Sequence, residues 1–304
     1  MSQSHLIDVS ELSALLAQAQ PPGRCVLIDC RFDLAQPEWG EAAYRRGHLP
    51  GAIYLSLDAD LSAPVTGSNG RHPLPAPESF AATLGRMGVG NESLVVVYDQ
   101  GVAMMAARLW WMLRWIGCNH VRVLDGGLAA WQAAGLPLES SSREPAKVQE
   151  PSEAESFDVN LQPDMLRSAD QVLQALGHSE QILLDARAEE RFRGEVEPLD
   201  PVAGHIPGAL NRPFMQNLMP DGRFKTVPQL RREFEALLQG RPAAQLVHQC
   251  GSGVSAAVNM LAMEIAGLSG SSLYAGSWSE WVSDPRRPVT TGPCTGEAGC
   301  EPGC

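Results

Sequence analysis

"RGHLPGAIYL" at residues 46–55 and "AGHIPGALNR" at residues 203–212 decide the fold of this 304-residue chain. Each puts Pro and Gly where the backbone must turn sharply, just before a short apolar run. Three more pairs occur in the same order. "CVLIDCRFD" (25–33) matches "ILLDARAEE" (182–190), and "LVVVYDQGVA" (94–103) matches "LVHQCGSGVS" (246–255). "VLDGGLAAW" (123–131) matches "LYAGSWSEW" (273–281). A single match would be noise, but four ordered ones, about 150 residues apart, mean a duplicated domain.

Each half alternates apolar runs with helical patterns. "CVLID" and "LVVVYD" read as buried parallel strands, "AARLWWMLRWIG" as a helix ending at Gly117, and "VRVLDGG" as the next strand. That order predicts an α/β fold, two tandem domains, each a mainly parallel sheet with helices on both faces. The stretch 136–156 is rich in Ser, Glu and Pro and has no apolar period, as a linker should. The expected boundaries are 1–140 for the first domain, 141–156 for the linker, 157–291 for the second domain, and 292–304 for a Gly/Pro/Cys tail expected to be disordered.

Composition excludes several classes. With 44% hydrophobic and 19% charged residues, the chain can bury a proper core. A net charge of −12 argues against nucleic acid and against an anionic membrane as partners. No apolar run approaches the ~20 residues of a membrane span. The N-terminus reads as a strand and a helix rather than a secretory leader, so a cytoplasmic protein is expected. Cys25, Cys30 and Cys118 lie in apolar surroundings and read as core residues, as do Trp131 and Trp281. His48 and His205 recur in both copies, which points to a structural role.

Cys250 is different. It stands at a strand end, followed by glycines, serines and a helical pattern. "GSGVSA" (251–256) formally fits a dinucleotide fingerprint, but the following strand, "SSLYAG", offers no acid for a ribose. A phosphatase loop needs Arg six residues after the cysteine, and Ala256 stands there. Zinc lacks a cysteine partner, since only His248 is near. Such a turn can cradle an anionic sulfur among backbone N–H groups at a helix start. An inert buried cysteine fits the same letters. The first copy tips the balance: Asp99 stands at the equivalent position, so the fold does not demand cysteine there.

These motifs resemble those of the two-domain rhodanese family of sulfurtransferases. "GHIPGA", "CGSGVS" and "YAGSWSEW" carry the resemblance, which covers nearly the whole chain outside the linker and tail. The uncharged loop, with Gly251 and Ser252 after the cysteine, is similar to the 3-mercaptopyruvate branch; the thiosulfate branch carries basic residues there. The resemblance implies a Cys250 persulfide cradled by Gly251, Ser252, Gly253, Val254 and Ser255, with no cofactor. It further implies a relay of Ser252, His72 in "GRHPLP" and Asp58 in "YLSLDAD", and a substrate carboxylate held by Arg191. A second arginine is expected after "EP", but Leu199 and Asp200 stand there, leaving Arg187, Arg193 and Arg212 as candidate replacements. Arg187 and Arg31 each follow a strand-end Asp, Asp185 and Asp29, which suggests a shared structural role.

The implied partners are a small-molecule sulfur donor and a thiol acceptor such as thioredoxin or glutathione, or cyanide. Thiosulfate as main donor is the alternative that the missing arginine favours and the uncharged loop disfavours. A non-enzymatic sulfur-carrier or metal-handling module is a third reading, drawn from Cys294, Cys300 and Cys304 in the tail.

Overall fold

The computed structural model describes residues 4–18, 24–141 and 155–293. The chain forms two compact units. The first comprises Met1–Ala63, Leu74–Pro163 and Leu218–Lys225; the second comprises Pro64–Pro73, Asp164–Asn217 and Thr226–Cys304. Thus each half of the sequence lends one short arm to the other unit.

The first unit is built on strands β1 (Leu6–Ile7), β2 (Cys25–Asp29), β3 (Ile53–Tyr54), β4 (Leu94–Tyr98) and β5 (Val121–Leu124). They form one sheet in the order β1-β5-β4-β2-β3, and every pairing is parallel. The second unit repeats this with β6 (Leu166–Arg167), β7 (Ile182–Asp185), β8 (Leu210–Asn211), β9 (Leu246–Gln249) and β10 (Ser272–Tyr274). Its order, β6-β10-β9-β7-β8, is the same and again all parallel. Helices connect the strands, as parallel pairing requires. The central strands are buried along almost their whole length, which is why β4 reads as an unbroken apolar run, while β9 buries His248 and Gln249 as well.

The repeated motifs close each unit. His48 exchanges main-chain hydrogen bonds with Glu139, and His205 does the same with Thr290. Each imidazole binds a carbonyl through Nδ1, His48 on Tyr44 O at 2.8 Å and His205 on Phe192 O at 2.7 Å, and each ring stacks on that residue's ring. Burial lowers the His205 pKa, so it is a neutral structural imidazole. Trp131 and Trp281 are buried, and each indole N–H donates to a carbonyl of its unit's C-terminal stretch, Pro137 O and Pro288 O. Cys30 and Cys118 are core residues as expected; Cys25, at the start of β2, is only partly buried. Among the described residues no helix is long and apolar enough to cross a membrane.

Candidate active site around Cys250

Strand β9 ends at Gln249 and Cys250 follows, almost fully buried. Residues 251–255 turn the chain into the helix Ala256–Ile265. Gly253 makes the turn possible. Its φ is +76°, and a Cβ there would run into Ala275 O. Gly253→Ala is expected to cost about 1–3 kcal/mol, through strain and displacement of the loop. Urea denaturation checks this as a lower midpoint with an unchanged slope.

The first unit shows what this turn binds. Its sheet pairs Asp29 with Tyr98, and the second sheet pairs Asp185 with Gln249, so Asp99 and Cys250 occupy equivalent places. The Asp99 carboxylate accepts backbone N–H groups from Gly101 (2.9 Å), Ala103 (3.1 Å), Met105 (3.0 Å) and Ala106 (3.3 Å). Burial raises the pKa of this carboxyl, and the four N–H donors pull against that rise. The turn is therefore an anion cradle in the copy that carries Asp99.

Three polar side chains from distant parts of the sequence, His72, Arg71 and Arg191, meet the loop that follows Cys250. Ser252 Oγ and His72 Nδ1 share a hydrogen bond of 2.7 Å, and both residues are buried. His72 arrives on the arm Pro64–Pro73. The same arm brings Arg71, whose Nη2 lies 2.8 Å from the point where a Cβ on Gly251 would stand. Arg191 Nη1 and Nη2 lie 3.6 and 3.7 Å from that same point. Two guanidinium groups therefore converge on Gly251, the residue after Cys250.

Acids hold them there. Arg191 Nη2 donates to Glu197 Oε1 at 2.7 Å and lies 3.5 Å from Asp200 Oδ2. Arg71 Nη1 pairs with Asp200 Oδ1. Glu197 also accepts the N–H groups of Leu199 and Asp200. Burial works against its charge, but Arg191 and these amides hold its pKa below the usual range. The Asp200 side chain is 3% exposed, whereas that of Arg71 keeps 29% exposure and that of Arg191 19%, so the cations face the accessible side.

A rhodanese-like domain model matches residues 8–134 and again 168–284. The chain belongs to the rhodanese family. It is 48% identical over 296 residues to a "probable 3-mercaptopyruvate sulfurtransferase" of Pseudomonas aeruginosa, covering 96% of this chain and all of that one. It is 41% identical to the "putative thiosulfate sulfurtransferase SseB" of Mycobacterium tuberculosis, over 94% of this chain and 97% of the relative. Among solved structures it resembles SseA of Escherichia coli, described as a 3-mercaptopyruvate sulfotransferase, with a TM-score of 0.75 and 32% identity. That match covers 91% of this chain and 99% of SseA.

Within this rhodanese chain, the three arginines named as replacements for the absent one are engaged in other pairs, although Arg187 Nη1 also reaches Glu197 Oε2 of the cluster at 3.4 Å. Arg187 grips Asp185, donates to Gly204 O and stacks on Trp278. Arg31 does the same in the first unit with Asp29 and Gly47 O, so the shared role is structural. Burial opposes the Arg187 charge, but Asp185, Glu197 and, more weakly, Cys250 raise its pKa. Arg193 is paired with Glu189 and Glu195. Arg212 is tied to Asn217 and Glu233 and lies over Phe234. The sequence reading missed Arg71, which the structure brings to the loop instead. A signal existed: "NGR" at 69–71 has a counterpart, "DGR" at 221–223, on the other exchanged arm.

Asp58 lies exposed in the turn after β3 of the first unit, and partial burial raises its carboxyl pKa. Val254 is buried in the loop and Ser255 precedes the helix. His248 is fully buried with Nε2 at 3.1 Å from Ser271 Oγ, and desolvation lowers its pKa to about 3. It is a neutral core group. Among the described residues no His/Cys/Asp/Glu cluster could hold a metal. Cys294, Cys300 and Cys304 lie outside the described residues.

Proposed function

We propose that the chain is a 3-mercaptopyruvate sulfurtransferase that works through a persulfide on Cys250. The observation that carries this reading is the convergence of Arg71 and Arg191 on Gly251, directly after a cysteine that stands where the first unit has a cradled carboxylate. A thiolate attacks the donor's sulfur, and the carbon–sulfur bond breaks. Its electron pair passes to carbon, giving the enolate of pyruvate, which a proton quenches. The second sulfur remains on Cys250 as a terminal anion, the charge that backbone N–H groups of residues 251–255 would hold, as those of Gly101, Ala103, Met105 and Ala106 hold Asp99 in the first unit. A thiol acceptor or cyanide then attacks this outer sulfur and Cys250 leaves as thiolate.

Arg71 and Arg191 suit the donor's carboxylate, since a planar guanidinium binds it through paired N–H groups. Their two acids leave the cluster close to neutral. This balance favours a monoanion over the dianion thiosulfate. Ser252 would hydrogen-bond the enolate oxygen, and His72 would move the proton, a reading that their shared hydrogen bond supports. No step is assigned to Asp58, which belongs to the first unit.

The other described thiols are poor competitors. Burial pushes Cys30 well up, with Asp99 and Asp29 adding to it, pushes Cys118 to about 11, and raises Cys25. Steady-state kinetics with 3-mercaptopyruvate and with thiosulfate, cyanide as acceptor, tests the donor. A thiosulfate kcat/KM tenfold above that of 3-mercaptopyruvate contradicts the assignment. His72→Ala should lower 3-mercaptopyruvate turnover by about 10²-fold, the usual contribution of a general acid–base group. A change of twofold or less removes His72 from the mechanism.

A further inference from the structure

The two units supply an internal comparison that singles out Ser277. Matching main-chain hydrogen bonds flank the two anion positions. Leu128 N–H donates to Asp99 O at 2.9 Å, and Trp278 N–H to Cys250 O at 3.0 Å. Ala129 N–H donates to Gln100 O at 3.2 Å, and Ser279 N–H to Gly251 O at 2.9 Å. The residue just before these donors is Gly127 in one unit, φ +55°, and Ser277 in the other, φ +54°. Both are left-handed. Glycine adopts that conformation freely and serine does not.

In the first unit nothing larger than glycine fits. A Cβ on Gly127 would lie 2.6 Å from Asp99 O and 2.9 Å from Gly101 N and Cα. The second unit accommodates a complete serine side chain at the matching place, fully buried. Strain of this kind persists where the surroundings impose it, and it clusters at working sites. The hydroxyl shows what is gained. Ser277 Oγ accepts the N–H of Cys250 at 3.1 Å and donates to Tyr274 O at 2.9 Å. It thus ties the backbone of Cys250 to the end of β10.

We propose that Ser277 is a positioning residue for the nucleophile. Its hydroxyl fixes the Cys250 backbone, and its Cβ keeps residue 277 from approaching the loop as closely as Gly127 approaches Asp99 O and Gly101. The cradle then has room for a second sulfur atom. The inference rests on Cys250 being the sulfur carrier.

The test compares Ser277→Gly with Ser277→Ala in the full chain. The rate of Cys250 persulfide formation from 3-mercaptopyruvate and the Tm are both measured. Ser277→Gly removes the strain, so it folds even if the alanine variant does not. Each variant is expected to lose roughly tenfold or more in kcat/KM, the scale of effect of a small misplacement of a reacting group. The glycine variant should have the higher Tm of the two. Activity then follows the hydroxyl and not stability. A glycine variant with wild-type kcat/KM overturns the proposal and makes Ser277 a packing residue. A wild-type enzyme that turns over without sulfur on Cys250 overturns the functional reading beneath it, a separate outcome from the first.

Discussion

Cys250→Ser is expected to abolish sulfur transfer, lowering kcat by at least ~10³-fold, as removal of a covalent nucleophile does elsewhere. The variant should fold normally, since serine is close to cysteine in size and the loop geometry is set by Gly253 and by main-chain bonds from Trp278 and Ser279. The size of the effect follows from the chemistry. A hydroxyl at neutral pH is a far weaker nucleophile toward sulfur than a thiolate, and an oxygen–sulfur intermediate offers no route onward to a thiol acceptor. Cys30 and Cys118 are no substitute, because burial holds both as thiols. Measuring pyruvate and thiocyanate together shows whether both half-reactions fail, as expected. Retention of either at more than a few per cent of wild type would move the carrier to another cysteine.

The second large effect is expected at the arginine pair. Arg71→Ala and Arg191→Ala should each lower kcat/KM for 3-mercaptopyruvate by roughly 10- to 100-fold, the equivalent of a charge-assisted hydrogen bond worth ~1.5–3 kcal/mol. Most of the loss should appear in KM, because the carboxylate is bound alike in the ground state and at the transition state. Arg71→Ala also leaves Asp200 with only the longer contact to Arg191, and a buried, weakly paired acid can disturb the site by itself. Mercaptoacetone separates the two causes, since it has the same thiol and ketone but no carboxylate. Its kcat/KM should stay within about threefold of wild type in both variants, whereas a general disturbance would depress the two donors equally. Arg71→Lys should recover only part of the loss, because an ammonium cannot offer the paired N–H groups of a guanidinium.

The duplicated α/β architecture was legible because each copy repeats the features that build it. Most of the buried strands are apolar along their length, and GH(L/I)PGA closes each unit through a histidine. The loop at Cys250 was legible by elimination, and the counterpart Asp99 showed that the cysteine is not demanded by the fold. The surroundings of the loop were harder to read. Ser252 and His72 are 180 residues apart, and Arg71 and Asp200 are 129 apart. No local periodicity links such pairs; the resemblance supplied the first and nothing supplied the second. Position 200 was read as the loss of an arginine. In the folded chain the acid there captures an arginine carried on an arm from the other half of the sequence. Ser277 escaped notice for a different reason. Glycine and serine both suit a turn, and only the backbone angle shows that the serine is strained.

The central claim is that sulfur passes through Cys250, and the mass of the Cys250 peptide after reaction with 3-mercaptopyruvate in the absence of acceptor tests it most directly. The account predicts one added sulfur atom on that peptide, one pyruvate released per chain, and loss of the added sulfur when cyanide is supplied. Stoichiometric pyruvate with the added sulfur on a different cysteine, or continued turnover with Cys250 never modified, would contradict it.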